Sequence, residues 1–118
     1  MEYRTRQIVK PDDLNAANAL FGGRLLSWID EEAAIFAICE LEHKALVTAH
    51  MSTVDFESSA FQGDIVEIGC EVIRLGRTSV TLKCNARNKS TKKSILTVEE
   101  VVFVCLGEDG KPTPHGKG

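Results

Sequence analysis

The chain has few aromatic residues, 6% of 118, with one Trp and one Tyr, and only three prolines. Its core must therefore be built from aliphatic side chains, and little in it is locked by ring geometry. No apolar run approaches the length that spans a bilayer, and the opening MEYRTRQIVKPDD has no apolar signal region. A cytoplasmic location is expected on that basis. Cys39, Cys70, Cys84 and Cys105 show no C-x-x-C spacing, so they read as small core or strand residues of a reduced protein, with no metal expected. Internal repeats and low-complexity tracts are absent. With a formal charge of −3, neither nucleic acid nor an anionic membrane is expected as the main partner.

What is present is organised around Asn15–Leu41, NAANALFGGRLLSWIDEEAAIFAICEL. A turn holding Gly22 and Gly23 leads into a predicted helix reaching about His43. From Ala33 to Cys39 its apolar residues are unbroken, which predicts a helix covered on all sides. Asp30, Glu31 and Glu32 sit together partway along it. A carboxylate cluster on a core helix is costly to desolvate unless it is used or paired.

A short strand is predicted over Tyr3–Val9, and Leu14–Ala19 allows a helical turn before the glycines. Four strands follow, over about Ala45–Glu57, Asp64–Leu75, Thr78–Lys89 and Lys93–Gly107. Val66, Ile68, Cys70 and Val72 share a face, as do Val80, Leu82, Cys84 and Ala86. In the last strand Leu96, Val98, Val102, Val104 and Leu106 are expected to share one, interrupted by Glu100. The order β-α-β-β-β-β predicts an α+β domain over residues 1–110. Residues 111–118, KPTPHGKG, are expected to form a flexible tail. One sheet covers only part of one helix, so at least a homodimer is expected.

Several motifs together resemble the hotdog-fold acyl-CoA thioesterases of the YciA and cytosolic brain acyl-CoA hydrolase type. They are Asn18-Ala19-Leu20-Phe21-Gly22-Gly23, Trp28-Ile29-Asp30-Glu31, Thr53-Val54-Asp55-Phe56, Gly63-Asp64-Ile65-Val66, Gly76-Arg77-Thr78-Ser79 and Asp109-Gly110-Lys111-Pro112. The resemblance covers nearly the whole chain. It implies a single hotdog domain, a long central helix wrapped by a curved five-stranded antiparallel sheet. It also implies hydrolysis of acyl-CoA to a free acid and coenzyme A, with no cofactor and possible assembly into a hexamer, a trimer of dimers.

Thioester hydrolysis needs an activated water or a nucleophile, and donors for the oxyanion. A helix N-terminus offers unpaired N–H groups, and Gly22 and Gly23 let a carbonyl approach them closely, a candidate oxyanion hole. Periodicity gives Asp30 smaller neighbours than Glu31 or Glu32 but does not decide among the three. The resemblance puts the catalytic carboxylate at Asp30, as general base or nucleophile, and the family's orienting amide at Asn18. Asp30 lies two turns beyond Gly22, ~12 Å along the axis. Asn18 and the glycine turn of one protomer are therefore expected to meet Asp30 of the other.

Arg74, Arg77, Lys83, Arg87, Lys89, Lys92 and Lys93 occupy a stretch without acids. Cations and turn N–H groups suit the phosphates of coenzyme A. Arg77, Thr78 and Ser79 match the family's coenzyme-contacting turn, and Lys83 is added as a candidate. Asp55 and Phe56 receive no role, and His43, His50 and His115 read as structural or exposed. Trp28, Phe36 and Met51 are candidates to floor an acyl tunnel. A non-catalytic acyl-CoA sensor and a hydrolase of acyl carrier protein thioesters are the competing readings. A hotdog dehydratase is disfavoured because no His precedes His43.

Overall fold

A computed structural model describes residues 1–117; Gly118 lies outside the described residues. The elements are β1 (Glu2–Ile8), a 3-10 turn (Pro11–Asp13), α1 (Gly22–Leu41), β2 (Leu46–Phe56), β3 (Ile65–Leu75), β4 (Ser79–Asn88) and β5 (Ser94–Cys105). The five strands form one antiparallel sheet in the order β1-β3-β4-β5-β2. Every expected element is present, with bounds moved by a residue or two. The exception is the helical turn at Leu14–Ala19, which falls instead at Pro11–Asp13.

Helix α1 meets the sheet along Leu25, Ile29, Ala33, Ala37 and Leu41, each at most 2% exposed. These residues recur every fourth position and so form one stripe. Ala33 and Ala37, lacking bulk, let the helix sit close to the strands. Opposite them lie Val66, Ile68 and Cys70 of β3, Val80, Leu82, Cys84 and Ala86 of β4, and Leu96 and Val98 of β5, all buried. The Cys70 and Cys84 sulfurs face each other at 3.1 Å as free thiols. That contact and burial push the Cys84 thiol up from its ordinary range. Cys39 departs from the expected core role and is exposed.

One expectation is corrected. On β5 the buried face continues through Val101, Phe103 and Cys105, not Val102, Val104 and Leu106. Leu82 pairs with Val101 and Cys84 with Val98, so β5 spends one extra residue at Glu99-Glu100. Such a bulge switches the face of every residue beyond it and bends the strand. The helix, as expected, is covered only in part by its own chain. Ile35 is 52% exposed, and the sheet leaves that side open.

The tail expected to be flexible is docked as far as it is described. Leu106 bridges to Pro112, the Thr113 amide donates to Cys105 O at 2.9 Å, and His115 is buried. The turn at Asp109-Gly110, with Gly110 at φ +77°, reverses the chain and makes this possible.

On the outer sheet face Glu67 is 3% exposed. Arg87 Nε donates to it at 2.7 Å and Lys92 Nζ at 3.2 Å, with Arg6 Nε at 3.9 Å. Burial alone would raise this carboxyl, but the hydrogen bonds and charges of Arg87 and Lys92 outweigh it and hold the group below the usual carboxylate value. Its contribution to stability is complete above the unfolded value and is lost as pH falls through the folded one. Glu67→Gln is expected to cost about 1–2 kcal/mol at neutral pH, the exposed ends of Arg6 and Lys92 being screened by water. Urea titrations at falling pH should show wild type and variant converging as the carboxylate protonates.

Candidate active site

The loop between the 3-10 turn and α1 is held from inside. Asp13, 2% exposed, takes Lys10 N–H at 2.9 Å and lies 3.4 Å from Arg24 of the first helical turn. Its carbonyl receives the Phe21 amide at 2.8 Å, which fixes where the helix begins. Phe21 is the N-cap and offers no capping side chain. The N–H groups of Gly22 and Gly23 consequently have no acceptor among the described residues. A Cβ on Gly22 would lie 3.0 Å from the Phe56 ring, and one on Gly23 2.8 Å from the Phe21 ring. Both glycines thus let the exposed Phe21 and Phe56 rings come close to the helix entrance.

Beside this entrance is a cavity of about 450 Å³ lined by Asn15, Gly22, Leu25, Phe56, Ser58 and Ile95 among others. Asn15, not Asn18, is the amide that reaches it. The Asn15 side-chain oxygen accepts from the amides of Ala17 at 2.9 Å and Ala19 at 3.1 Å, which leaves its NH₂ group free to donate elsewhere. Asn18 stands exposed with φ +63°, a left-handed turn position that asparagine tolerates. Asn18 does not line this cavity.

Asp30 is half-buried on α1, and Thr48 Oγ1 of β2 donates to its Oδ1 at 2.8 Å. The second carboxylate oxygen has no partner among the described residues. Sequence reasoning missed Thr48; its only signal was a lone hydroxyl residue early in an edge strand. Glu31 is exposed, whereas Glu32 is buried and bonded by the Thr5 hydroxyl, which makes it structural. Asp30 does not line the cavity at Gly22, as expected for groups ~12 Å apart on one helix. Trp28, Phe36 and Met51 are all half-buried against the core.

The Leu75–Ser79 turn presents Arg77, which is exposed, beside half-buried Thr78 and Ser79. Lys83 does not join them. It lies further along β4 on the outer sheet face and pairs with Glu99 at 3.5 Å.

A single long helix cradled by a five-stranded antiparallel sheet is the hotdog fold. The chain belongs to the Thioesterase superfamily, whose model matches residues 17–95. It is 29% identical to the acyl-CoA thioester hydrolase YciA of Salmonella typhimurium, over 96% of this chain and 89% of that protein. A hexameric thioesterase of Yersinia pestis is 26% identical with a TM-score of 0.89, covering 99% of this chain and 97% of that one. An acyl-CoA hydrolase of Staphylococcus aureus, studied as an aspartate-to-alanine mutant, is 29% identical with a TM-score of 0.85, covering 93% and 69%. Threonine-to-alanine and asparagine-to-alanine mutants of that enzyme are also known, the latter in complex with coenzyme A.

The two asparagines should separate in stability as they do in position. Asn15→Ala frees the Ala17 and Ala19 amides and is expected to cost about 1 kcal/mol, with faster hydrogen exchange at both. Asn18→Gly relieves a left-handed residue and is expected to leave the melting temperature unchanged or slightly raised.

Proposed function

We propose that this protein hydrolyses acyl-CoA to a free carboxylic acid and coenzyme A, with Asp30 as the reacting carboxylate. One observation carries the assignment to this residue: Thr48 holds one Asp30 oxygen at 2.8 Å and leaves the other unpaired beside an open sheet edge. The relatives named as acyl-CoA hydrolases support the substrate. In the Staphylococcus aureus enzyme the altered asparagine and aspartate stand as far apart along the chain as Asn15 and Asp30 do here. The orienting amide is therefore assigned to Asn15.

In the reaction, the thioester carbonyl oxygen gains charge as the tetrahedral intermediate forms. It receives hydrogen bonds from the Gly22 and Gly23 N–H groups, aided by the positive end of the helix dipole. Asp30 either takes a proton from the attacking water or adds to the carbonyl itself, giving an anhydride that water then opens. The carbon–sulfur bond breaks, coenzyme A leaves as thiolate and takes up a proton. No cofactor is required. Arg77, Thr78 and Ser79 receive the phosphate end of the coenzyme.

A second copy completes each site. Among the described residues nothing pairs with the outer edge of β2, Val47 and Phe56 on it are 45% and 59% exposed, and Ile35 of the helix is 52% exposed. The protomer's radius of gyration of 15.0 Å also exceeds the ~13.5 Å of a compact domain of this length. Antiparallel pairing of two β2 edges brings the Gly22–Phe56 end of one protomer to the Asp30–Thr48 end of its partner. The hexameric relative supports further assembly of such dimers. With four unpaired cysteines, the protein is assigned to the cytoplasm.

Thiol release from acyl-CoAs of short to long chain tests this, with a substrate-free control for exposed Cys39. Asp30→Asn should lower kcat by at least 100-fold while the protein stays oligomeric, and Thr48→Ala by about tenfold. Tight binding of acyl-CoA with no thiol release across the panel would replace the hydrolase with a sensor.

A further inference from the structure

His115 is buried against the turn to which coenzyme binding is assigned above, although nothing in its sequence context suggested a role. The chain reverses through Gly107–Lys111, where the Gly107 amide donates to Lys111 O at 2.9 Å. It then runs back along Leu75–Ser79. There the His115 amide donates to Arg77 O at 3.2 Å. The ring Nε2 lies 2.6 Å from Gly76 O and 3.0 Å from Ser79 O. Lys117 N–H donates to Nδ1 at 3.0 Å, so Nδ1 is the acceptor and Nε2 carries the proton. Lys117 Nζ closes the strap on Glu42, just past the end of α1, at 2.6 Å.

The carbonyls from Gly76 to Ser79 are thereby each engaged. His115 holds those of Gly76 and Arg77 and shares that of Ser79 with the Gly76 amide, which donates to it at 3.0 Å, and the Cys105 amide holds that of Thr78 at 2.8 Å. In a trans peptide the N–H points opposite to the carbonyl it follows. Carbonyls drawn toward the tail and β5 therefore turn the Arg77 and Thr78 N–H groups the other way. Neither donates to another group among the described residues. A Cβ at Gly76 would press on Ser79 Oγ, so any larger residue there would have to turn that hydroxyl away.

We propose that His115 is a positioning residue: it fixes the Gly76–Ser79 turn so that the Arg77 and Thr78 amides and the Arg77 guanidinium face outward together as a receptor for the phosphates of coenzyme A. The inference rests on the assignment of coenzyme binding to this turn. Oriented amides beside a guanidinium make an anion-binding edge that a freely rotating turn lacks. Holding this shape before binding also removes part of the ordering cost of association.

The test compares acyl-CoA with the matching acyl-pantetheine thioester, which lacks the nucleotide and its phosphates. His115→Ala is expected to raise KM for acyl-CoA about tenfold, with kcat within about twofold and the acyl-pantetheine kinetics unchanged. His115→Gln, whose amide N–H can reach the same carbonyls, should recover part of the loss and guards against a variant that fails to fold. Arg77→Ala should raise KM alone, and combined with His115→Ala should add less than the product of the two effects. If Arg77→Ala raises KM for acyl-CoA and His115→Ala does not, His115 has no positioning role and the coenzyme-binding turn stands. If neither variant moves KM, both assignments fall. Equal loss on both thioesters after His115→Ala would make the residue a general support of the fold and overturn the inference.

Discussion

Everything in this protein depends on how closely α1 lies against the sheet. Leu25, Ile29, Ala33, Ala37 and Leu41 repeat at one helical spacing, and the two alanines in the middle set the separation. A larger side chain at either would lift the helix and force its neighbours off their preferred rotamers. The same packing fixes the depth at which Asp30 emerges. Its position, one residue past Ile29 on the buried stripe, leaves it half in water and half against β2, where Thr48 can reach it. That boundary suits the role proposed for Asp30: deep enough to be oriented, open enough to meet water and a thioester.

Much of this was legible in the residues. Alternation located β3 and β4 within a residue or two, because both faces of a central strand are read by the same periodicity. The glycine pair marked the helix entrance, and family resemblance marked Asp30. What failed to show failed for physical reasons. The bulge at Glu99-Glu100 shifts the face of half a strand, and two adjacent glutamates carry no signature of an extra residue. Asn15 and Asn18 both suit a turn, and only the fold tells which one is turned toward the cavity. Thr48 and His115 act on elements remote in sequence, so no local pattern could report them. The docked tail was missed because its hold consists of backbone and imidazole hydrogen bonds rather than periodic apolar residues.

The outer face of the sheet follows a different logic from the inner one. It is polar but not loose. Tyr3 donates to Asn85 at 2.7 Å, Asn85 donates to Ser94 and Thr97, and the Arg87 guanidinium lies 3.6 Å over the Tyr3 ring. Side chains from β1, β4 and β5 are thus tied across the strands, and Glu67 is caught beneath its cations. A sheet that must curl around a helix gains from such ties, because they resist flattening without needing a second apolar core.

The distance between the glycine entrance and Asp30 on one helix also has a genetic meaning. If each reaction centre draws its oxyanion donors from one subunit and its carboxylate from another, as proposed, a chain that has lost Asp30 is not inert. It still lends a sound entrance to a healthy partner, so a mixed pair keeps one working centre of two. Loss-of-carboxylate alleles of such a protein are therefore recessive in character, and two alleles damaged at opposite ends of the same helix can complement each other.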